Sequence, residues 1–280
     1  MITLQNLSFA YKNKPPLFEQ LNLTMSDGNI YGLLGKNGAG KTTLLKILCG
    51  LLFPQTGDCT VLGCKPEQRN VAILRDIYFI PEEFYTPPLK ISEYIFLYAP
   101  FYPDFDRNAF DRYIETFELP LNERLTSLSY GQKKKLLIAF GLATNTHILI
   151  LDEPTNGLDI PSKSQFRKLL TGVVDENRII IISTHQVRDI GNLIDPIIIL
   201  NDGDIIFHYT IEAISKKLSV RLEKSEPEEN RALYWEKTLG GYVLINENNG
   251  AEDSNLDIEL LFNAVISNRQ RINDIFNREV

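Results

Sequence analysis

The stretch of sequence that best indicates the fold is Gly35-Lys36-Asn37-Gly38-Ala39-Gly40-Lys41-Thr42. It matches the pattern G-x-x-x-x-G-K-[ST], in which backbone N–H groups surround nucleotide phosphates. The apolar residues 30–34 before it predict a buried strand, and residues 43–52 after it predict a helix. Glycines let such a loop bend closely around phosphate oxygens, and the start of a helix favours an anion. The stretch therefore predicts a nucleotide site between a strand and a helix.

Two side chains of this loop have separate predicted tasks. Lys41 would reach the β- and γ-phosphates, and Thr42 would bind Mg²⁺. The rest of the ATP contacts in this segment are predicted at Gly35, Lys36, Asn37, Gly38, Ala39, Gly40 and Thr43. The alternative is a glycine-rich turn without a ligand, which the flanking strand and helix disfavour.

Size and charge narrow the classes of protein. A chain of 280 residues with 44% hydrophobic content is long enough for one large domain or two smaller ones. The net charge of −7 argues against a nucleic-acid partner, which favours a basic surface. The start of the chain lacks the pattern of a signal peptide, and its apolar runs have strand length. We therefore expect a cytosolic protein with reduced thiols at Cys49, Cys59 and Cys64.

A second motif is a pair of carboxylates after an apolar run. Residues 148–151 predict a strand buried on both faces of a parallel sheet, and Asp152 and Glu153 follow directly. Ligands bind at the carboxyl edge of such sheets. Asp152 suits the shell of a Mg²⁺ ion, and Glu153 suits a base that activates water. Taken alone, the pair could equally be a solvated strand end; after a phosphate loop it indicates a catalytic site.

A third motif, Leu128-Ser129-Tyr130-Gly131-Gln132, precedes a predicted helix over residues 132–143. The Ser129 hydroxyl and the Gly131 amide would offer hydrogen bonds and the positive end of a helix dipole to phosphate. The alternative for Ser129 is an ordinary helix cap. The choice depends on the other motifs.

With these three motifs in this order, the chain resembles the ABC transporter ATPases over residues 1 to about 210. Their signature Leu-Ser-Gly-Gly-Gln differs here only at Tyr130. The resemblance implies an α/β fold of the P-loop NTPase class, with a RecA-like, mostly parallel core sheet. It also implies an antiparallel β subdomain and a helical subdomain at about residues 85–146.

The resemblance assigns further site residues. Tyr11 would stack on adenine, although an isolated tyrosine on a strand usually has no such role. His185 would contact the γ-phosphate and act with Glu153 in catalysis. Ser129, Gly131, Gln132 and Asp159 would bind the nucleotide held by a partner subunit.

One position departs from the family in a way that bears on the metal. Where the family carries a glutamine after the strand that ends near Pro81, this chain has Glu82 or Glu83. Glu82 is therefore the third predicted metal ligand, beside Thr42 and Asp152. Because a carboxylate adds negative charge near phosphates, we expect weaker ATP binding or a changed metal preference.

The resemblance also implies partners. Two copies, or this chain and a similar ATPase subunit, would form a head-to-tail pair around two ATP molecules. The pair would drive a separate integral membrane permease on the cytoplasmic face of the membrane. Residues 98–106 and Lys133–Lys135 resemble the ABC-2 type exporter branch. Two alternatives are a non-transport ATPase of the same fold and a nucleotide-dependent regulatory module with little turnover.

The last part of the chain has a different pattern. We divide the sequence into an ATPase domain over residues 1–215 and an accessory α+β domain over residues 216–280. In the second part, residues 232–237 and 242–246 predict strands. Ser254 and Asp257 resemble a capping box for a final helix from Leu256. Support of a dimer or regulation is the role expected for this part.

Overall fold

A computed structural model of the protein describes residues 1–228, 231–248 and 257–278. Its strands are β1 (Ile2–Ala10), β2 (Pro16–Met25), β3 (Asn29–Leu34), β4 (Thr56–Val61), β5 (Ile77–Ile80), β6 (Ile148–Asp152), β7 (Ile179–Thr184), β8 (Ile197–Asn201), β9 (Asp204–Tyr209), β10 (Leu218–Glu223), β11 (Tyr234–Thr238) and β12 (Gly241–Glu247). Its helices are α1 (Lys41–Leu48), α2 (Val71–Leu74), α3 (Ile91–Tyr98), α4 (Arg107–Thr116), α5 (Tyr130–Ala143), α6 (Ile160–Thr171), α7 (Ile211–Lys217), α8 (Ile258–Ser267) and α9 (Arg269–Asn277).

The central sheet has the strand order β5-β6-β7-β3-β8-β9. Its strands run parallel except β9, which pairs antiparallel with β8. Every residue of β6 and β7 is buried, as expected for apolar strands covered on both faces. Alternate residues of β7 pack into two separate cores, Ile179 and Ile181 on the α1 face and Ile180 and Ile182 on the α5 face. The predicted parallel core is confirmed.

A smaller antiparallel sheet, ordered β2-β1-β4, covers the α1 face. Ile2, Leu4, Leu7 and Phe9 of β1 are buried there. The helical subdomain expected at about residues 85–146 contains α3, α4 and α5. Helix α5 begins at Tyr130, two residues before the predicted start, because Ser129 caps it. Within the described part of the chain, none of the helices has the combined length and apolar character that a membrane span requires.

The last part of the chain forms the antiparallel sheet β10-β12-β11 with α8 and α9. Helix α8 begins at Ile258, capped by Asp257, and a second helix follows it. Ser254 of the predicted capping box and Leu256, the predicted start of the helix, lie outside the described residues. This last part of the chain shares the hydrophobic core of the central sheet, since the ring centroids of Phe207 and Phe276 lie 5.1 Å apart. The boundary expected at residue 215 falls within α7.

Candidate nucleotide-binding site

The phosphate loop connects the end of β3 to the start of α1. Gly38 and Gly40 have φ angles of +85° and +110°, which side-chain-bearing residues rarely adopt. A Cβ atom at Gly40 would also lie 2.8 Å from the ring of Phe18. Helix α1 starts at Lys41, two residues before the predicted Thr43. Its N-cap is Gly40, which has no side chain. Its first N–H groups are therefore not capped by a side chain and can serve an anion.

Lys41 lies buried beneath this loop, with 6% of its surface exposed. Its Nζ donates to the carbonyl oxygens of Gly35 at 2.7 Å and Lys36 at 3.4 Å. Oε1 of Glu153 lies 3.8 Å from the same atom. Burial lowers the pKa of Lys41, whereas the carboxylates of Glu153 and Asp152 oppose that shift. The loop carbonyls and Glu153 thus hold the ammonium at the floor of the loop.

Asp152 ends strand β6 with both carboxylate oxygens bonded. The hydroxyl of Thr42 donates to Oδ2 at 2.7 Å, and the hydroxyl of Ser183 donates to Oδ1. Ser183 is the register partner of Asp152 on β7, so the pairing of two strands creates this contact. Glu82 borders the same cleft, where its Oε1 accepts from Asn156 Nδ2 at 2.9 Å. These oxygen donors fit Mg²⁺, which binds carboxylate and hydroxyl oxygens.

Glu153 is 3% exposed and has a φ angle of +45°, a strained conformation for a residue with a side chain. Its Oε1 accepts from the backbone N–H of His185 at 3.1 Å and from Nδ1–H of the same histidine at 2.7 Å. Its Oε2 accepts from the hydroxyl of Thr184 at 3.1 Å. Strained backbone at an ordered carboxylate is typical of functional sites. The end of β7 therefore fixes the orientation of the predicted base.

These groups surround one cleft of about 560 Å³. Tyr11 borders it and is bonded through its hydroxyl to Thr43 Oγ1 at 2.9 Å. The predicted residues that the structure brings together here are Tyr11, Asn37, Gly38, Gly40, Lys41, Thr42, Thr43, Glu82, Asp152, Glu153 and His185. Gly35 and Lys36 face a smaller adjoining cavity, and Ala39 is buried. Glu83 is not among the described residues that line either cavity.

The start of α5 lies outside this cleft. Ser129 is exposed, and its Oγ accepts from Gln132 N at 3.2 Å while Gln132 Oε1 accepts from Ser129 N at 2.9 Å. Gly131 approaches the loop after β6 so closely that a Cβ atom would lie 2.8 Å from Gly157 O. Asp159 caps α6, and its hydrogen bonds to Ser162 lower the pKa of Asp159. None of the four residues predicted for a partner's nucleotide is among the described residues of the cleft.

Tyr130 turns its side chain back onto its own chain. Its hydroxyl donates to Glu82 O at 2.9 Å, and its ring stacks on Phe84 with centroids 5.4 Å apart. The ring also covers Gly157, where a Cβ atom would lie 2.5 Å from it. The departure from the family signature thus links the start of α5 to the loop after β5.

Sequence reasoning missed three polar residues of this site. Ser183 and Thr184 hold the two carboxylates, and Lys134 is buried beside them. Burial lowers the pKa of Lys134 to about 8. From the sequence, Lys133–Lys135 resemble the ABC-2 type exporter branch or form a solvated basic face of a helix, and neither interpretation places Lys134 at the cleft. Its spacing of three and four residues from the buried Leu137 and Ile138 is the signal that could have placed it inside.

A second polar cleft, of about 650 Å³, lies at the opposite edge of the central sheet. It is bordered by residues that precede β5, β6 and β7, among them Asp76, His147 and Arg178. The carboxylate of Asp76 accepts from the backbone N–H of His147 at 3.0 Å. The side-chain chemistry predicted for phosphate binding is at the other edge.

Comparisons with known proteins identify the family of the chain. The family model described as "ABC transporter" matches residues 18–156. The SkfA peptide export ATP-binding protein SkfE of Bacillus subtilis (strain 168) is 34% identical over 212 residues, which cover 74% of this chain and 87% of that protein. The bacitracin transport ATP-binding protein BcrA of Bacillus licheniformis is 33% identical over 220 residues, 77% of this chain and 72% of that protein.

Solved structures show the same fold. An ATP-binding subunit of an ABC transporter superposes with a TM-score of 0.68 and 25% identity, covering 76% of this chain and 91% of that chain. A dimeric ATP-binding cassette in a post-hydrolysis state, bound to ADP and phosphate, gives a TM-score of 0.67 and 26% identity. That match covers 75% of this chain and 99% of the other.

Proposed function

The chain belongs to the family of ABC transporter ATP-binding proteins, and from this premise we propose that it hydrolyses ATP to drive a separate membrane permease. The observation that carries the proposal is the hydrogen-bonded pair of Glu153 and His185, with Lys41 3.8 Å from Glu153. The neighbouring carboxylate of Asp152 accepts from Thr42 of the phosphate loop. Carboxylates and a lysine at the carboxyl edge of a parallel sheet, next to a phosphate loop, suit phosphoryl transfer.

ATP would occupy the cleft with its adenine against Tyr11 and its phosphates in the loop of residues 35–42. Lys41 would exchange its carbonyl partners for oxygens of the β- and γ-phosphates. The free-energy cost of ordering this side chain would be small, because the protein already holds the ammonium in the loop. Thr43 would hold the Tyr11 hydroxyl, which orients that ring. Mg²⁺ bound by Thr42, Asp152 and Glu82 would neutralise charge on the phosphates.

Glu153 would act as the general base in the hydrolytic step. It would accept a proton from water as the water oxygen bonds to the γ-phosphorus. The bond from that phosphorus to the β–γ bridging oxygen would break, and ADP would leave with the electron pair. His185, already hydrogen-bonded to Glu153, would keep the carboxylate oriented and contact the γ-phosphate.

The other half of each site would come from a second subunit. Ser129, Gly131 and Gln132 lie at the exposed start of the 14-residue helix α5, whose positive dipole end suits a phosphate. Asp159 is exposed on the loop that approaches this helix. A head-to-tail homodimer with two-fold symmetry, or a pair with a similar ATPase subunit, would bring these groups to the partner's ATP. The dimeric relative bound to ADP and phosphate supports that arrangement.

The permease would hold this chain at the cytoplasmic face of the membrane. Relatives that are described by peptide export and by bacitracin transport favour an exporter. We keep the division into an ATPase domain over residues 1–215 and an accessory domain over residues 216–280, which would support the dimer or regulate it. Capture of a polytopic membrane protein with this chain from native membranes would test the partner.

Phosphate release measured at rising protein concentration tests the composite site. If two chains build each site, activity per chain rises with concentration until the dimer is saturated. A constant activity per chain over the range where monomer converts to dimer would contradict the shared site. ATP binding without measurable phosphate release would instead favour a regulatory module of low turnover.

A further inference from the structure

A fully buried ammonium group lies between the ends of two neighbouring strands. Lys134 on α5 has no exposed surface. Its Nζ donates to Pro81 O and Asp152 O, each at 3.3 Å, and approaches Glu82 O at 3.5 Å. The ammonium also lies 5.6 Å from the ring centre of Phe84. All its close partners are neutral, so this buried positive charge has no direct ion pair among the described contacts.

Carboxylates outnumber buried lysines at the nucleotide cleft beside this ammonium. Glu82, Asp152 and Glu153 bring three carboxylates to the nucleotide cleft. The lysines that border the cleft are Lys41, which the proposed function pairs with the phosphates, and the exposed Lys14. A cation is expensive to bury unless nearby negative charge offsets the cost. Lys134 is the remaining buried ammonium among the described residues that act on these carboxylates. Its position therefore has an electrostatic reason.

The contacts also tie α5 to the edge of the sheet. The carbonyl of Pro81 follows β5, the carbonyl of Asp152 ends β6, and one ammonium binds both. Tyr130, one turn earlier on α5, bonds the carbonyl of Glu82. The two side chains of α5 thus fix the backbone that carries the Glu82 carboxylate.

We propose that Lys134 is a positioning residue whose fixed positive charge offsets the Glu82 carboxylate, so that this carboxylate can stand beside the triphosphate. This inference rests on the proposed nucleotide site. It assigns Lys134 no contact with substrate. Removing the charge leaves the cleft one unit more negative, and removing the charge of Glu82 as well restores the balance.

The test uses Lys134→Met, Glu82→Gln and the double variant in the full chain. Calorimetry measures the Kd of ATP in excess EDTA, so that the result does not depend on metal or turnover. We expect Lys134→Met to raise Kd about tenfold and the double variant to return within about threefold of wild type, because like charges near phosphates repel. Glu82→Gln alone should lower Kd. Lys133→Met, at the partly exposed neighbour on α5, is the matched control and should leave Kd unchanged.

Three outcomes would overturn the inference: a wild-type Kd in Lys134→Met, no recovery in the double variant, or no tighter binding in Glu82→Gln. A structural role of Lys134 predicts the second of these. If wild type bound no ATP even with Mg²⁺ present, the proposed function would fail separately. In that case the inference is tested by urea unfolding of wild type, the two single variants and the double variant without nucleotide. We expect the effects of Lys134→Met and Glu82→Gln on the unfolding constant to depart from additivity by about threefold or more. An additive cycle would contradict it.

Discussion

The nucleotide cleft and the start of α5 differ in how complete they are within one chain. In the cleft, Lys41, Asp152 and Glu153 already have partners, and two strands and a helix hold them. At the start of α5, Ser129 is exposed, and its hydroxyl accepts from the N–H of its capping partner Gln132. The fold completes the bonding of the first region, whereas the proposed function gives the second region the phosphate of a partner's ATP. In that proposal, the catalytic side chains are positioned within one chain, and they act when two chains associate.

The largest effect should follow from Glu153→Gln. Glutamine keeps the size of the side chain but cannot accept the proton of water, so turnover should fall by about 100-fold or more. ATP binding should persist and the dimer should become more stable, because hydrolysis no longer separates it. Phosphate release and light scattering with ATP measure these effects. Hydrolysis at the wild-type rate would show that the base is another residue. Glu83→Gln, at an exposed carboxylate outside the cleft, is the control.

Lys41→Ala should weaken nucleotide binding by about tenfold or more, because a charge-assisted hydrogen bond to phosphate is lost. Calorimetry with ATP and Mg²⁺ is the measurement. Lys12→Ala is the control and should leave the Kd of ATP unchanged, since Lys12 is an exposed lysine that is not among the described residues of the cleft. Equal Kd values for Lys41→Ala and wild type would contradict the phosphate-loop assignment.

Ser129 allows the second region to be tested without loss of its helix cap. Asparagine and aspartate both cap helices well, so Ser129→Asn and Ser129→Asp should fold alike. Aspartate would place a negative charge against the partner's γ-phosphate and should lower the dimer's phosphate release about tenfold more than asparagine does. ATP binding to the dilute chain should be unchanged in both. Equal rates of phosphate release for the two variants would show that Ser129 does not contact the partner's nucleotide.

Tyr130→Phe should have the smallest effect. It removes the hydrogen bond to Glu82 O but keeps the ring on Phe84. Since Tyr130 is about half exposed, the free energy of unfolding should fall by about 1 kcal/mol or less, as measured in urea. Tyr85→Phe, at a largely exposed tyrosine, should change it less. A loss well above 1 kcal/mol would mean that the two regions are more tightly joined than one hydrogen bond implies.

Much of the cleft could be predicted because its groups are adjacent in sequence to strands that carry clear patterns. The phosphate loop follows β3, the carboxylate pair ends β6, and the histidine follows β7. Parallel strands bring their carboxyl ends to one edge, so three separate motifs converge without further information. The order of the motifs then indicated the family, which the comparisons confirm.

Other features depended on contacts between distant segments. The bond from His185 Nδ1 to Glu153 requires the pairing of β6 with β7, and the positive φ of Glu153 has no sequence signal. The turn after β5 decides that Glu82 borders the cleft, where it accepts from Asn156, and that Glu83 is exposed. Lys134 is fully buried, although the lysines on either side of it are partly exposed. Burial is decided by the face of α5 that meets the sheet.

The tail shows the same limit. Its strands were expected from alternating apolar residues, but its attachment was not. Helix α8 packs on the turn at Val187–Asp189, and Arg188 pairs with Glu259 there. This turn comes directly after His185, so the tail contacts the segment that carries the predicted γ-phosphate contact. Sequence patterns show which residues avoid water, and they do not show which surface excludes it.

The sequence by itself determined the phosphate loop, the parallel sheet and the identity of most residues around the cleft, because glycine spacing, apolar strands and strand-end carboxylates are local properties. The tertiary structure decided the orientation of Glu153, the burial of Lys134 and the separation of Ser129 from its own cleft. Those properties depend on which distant atoms become neighbours. Hydrogen bonding and charge burial take their strength from that arrangement.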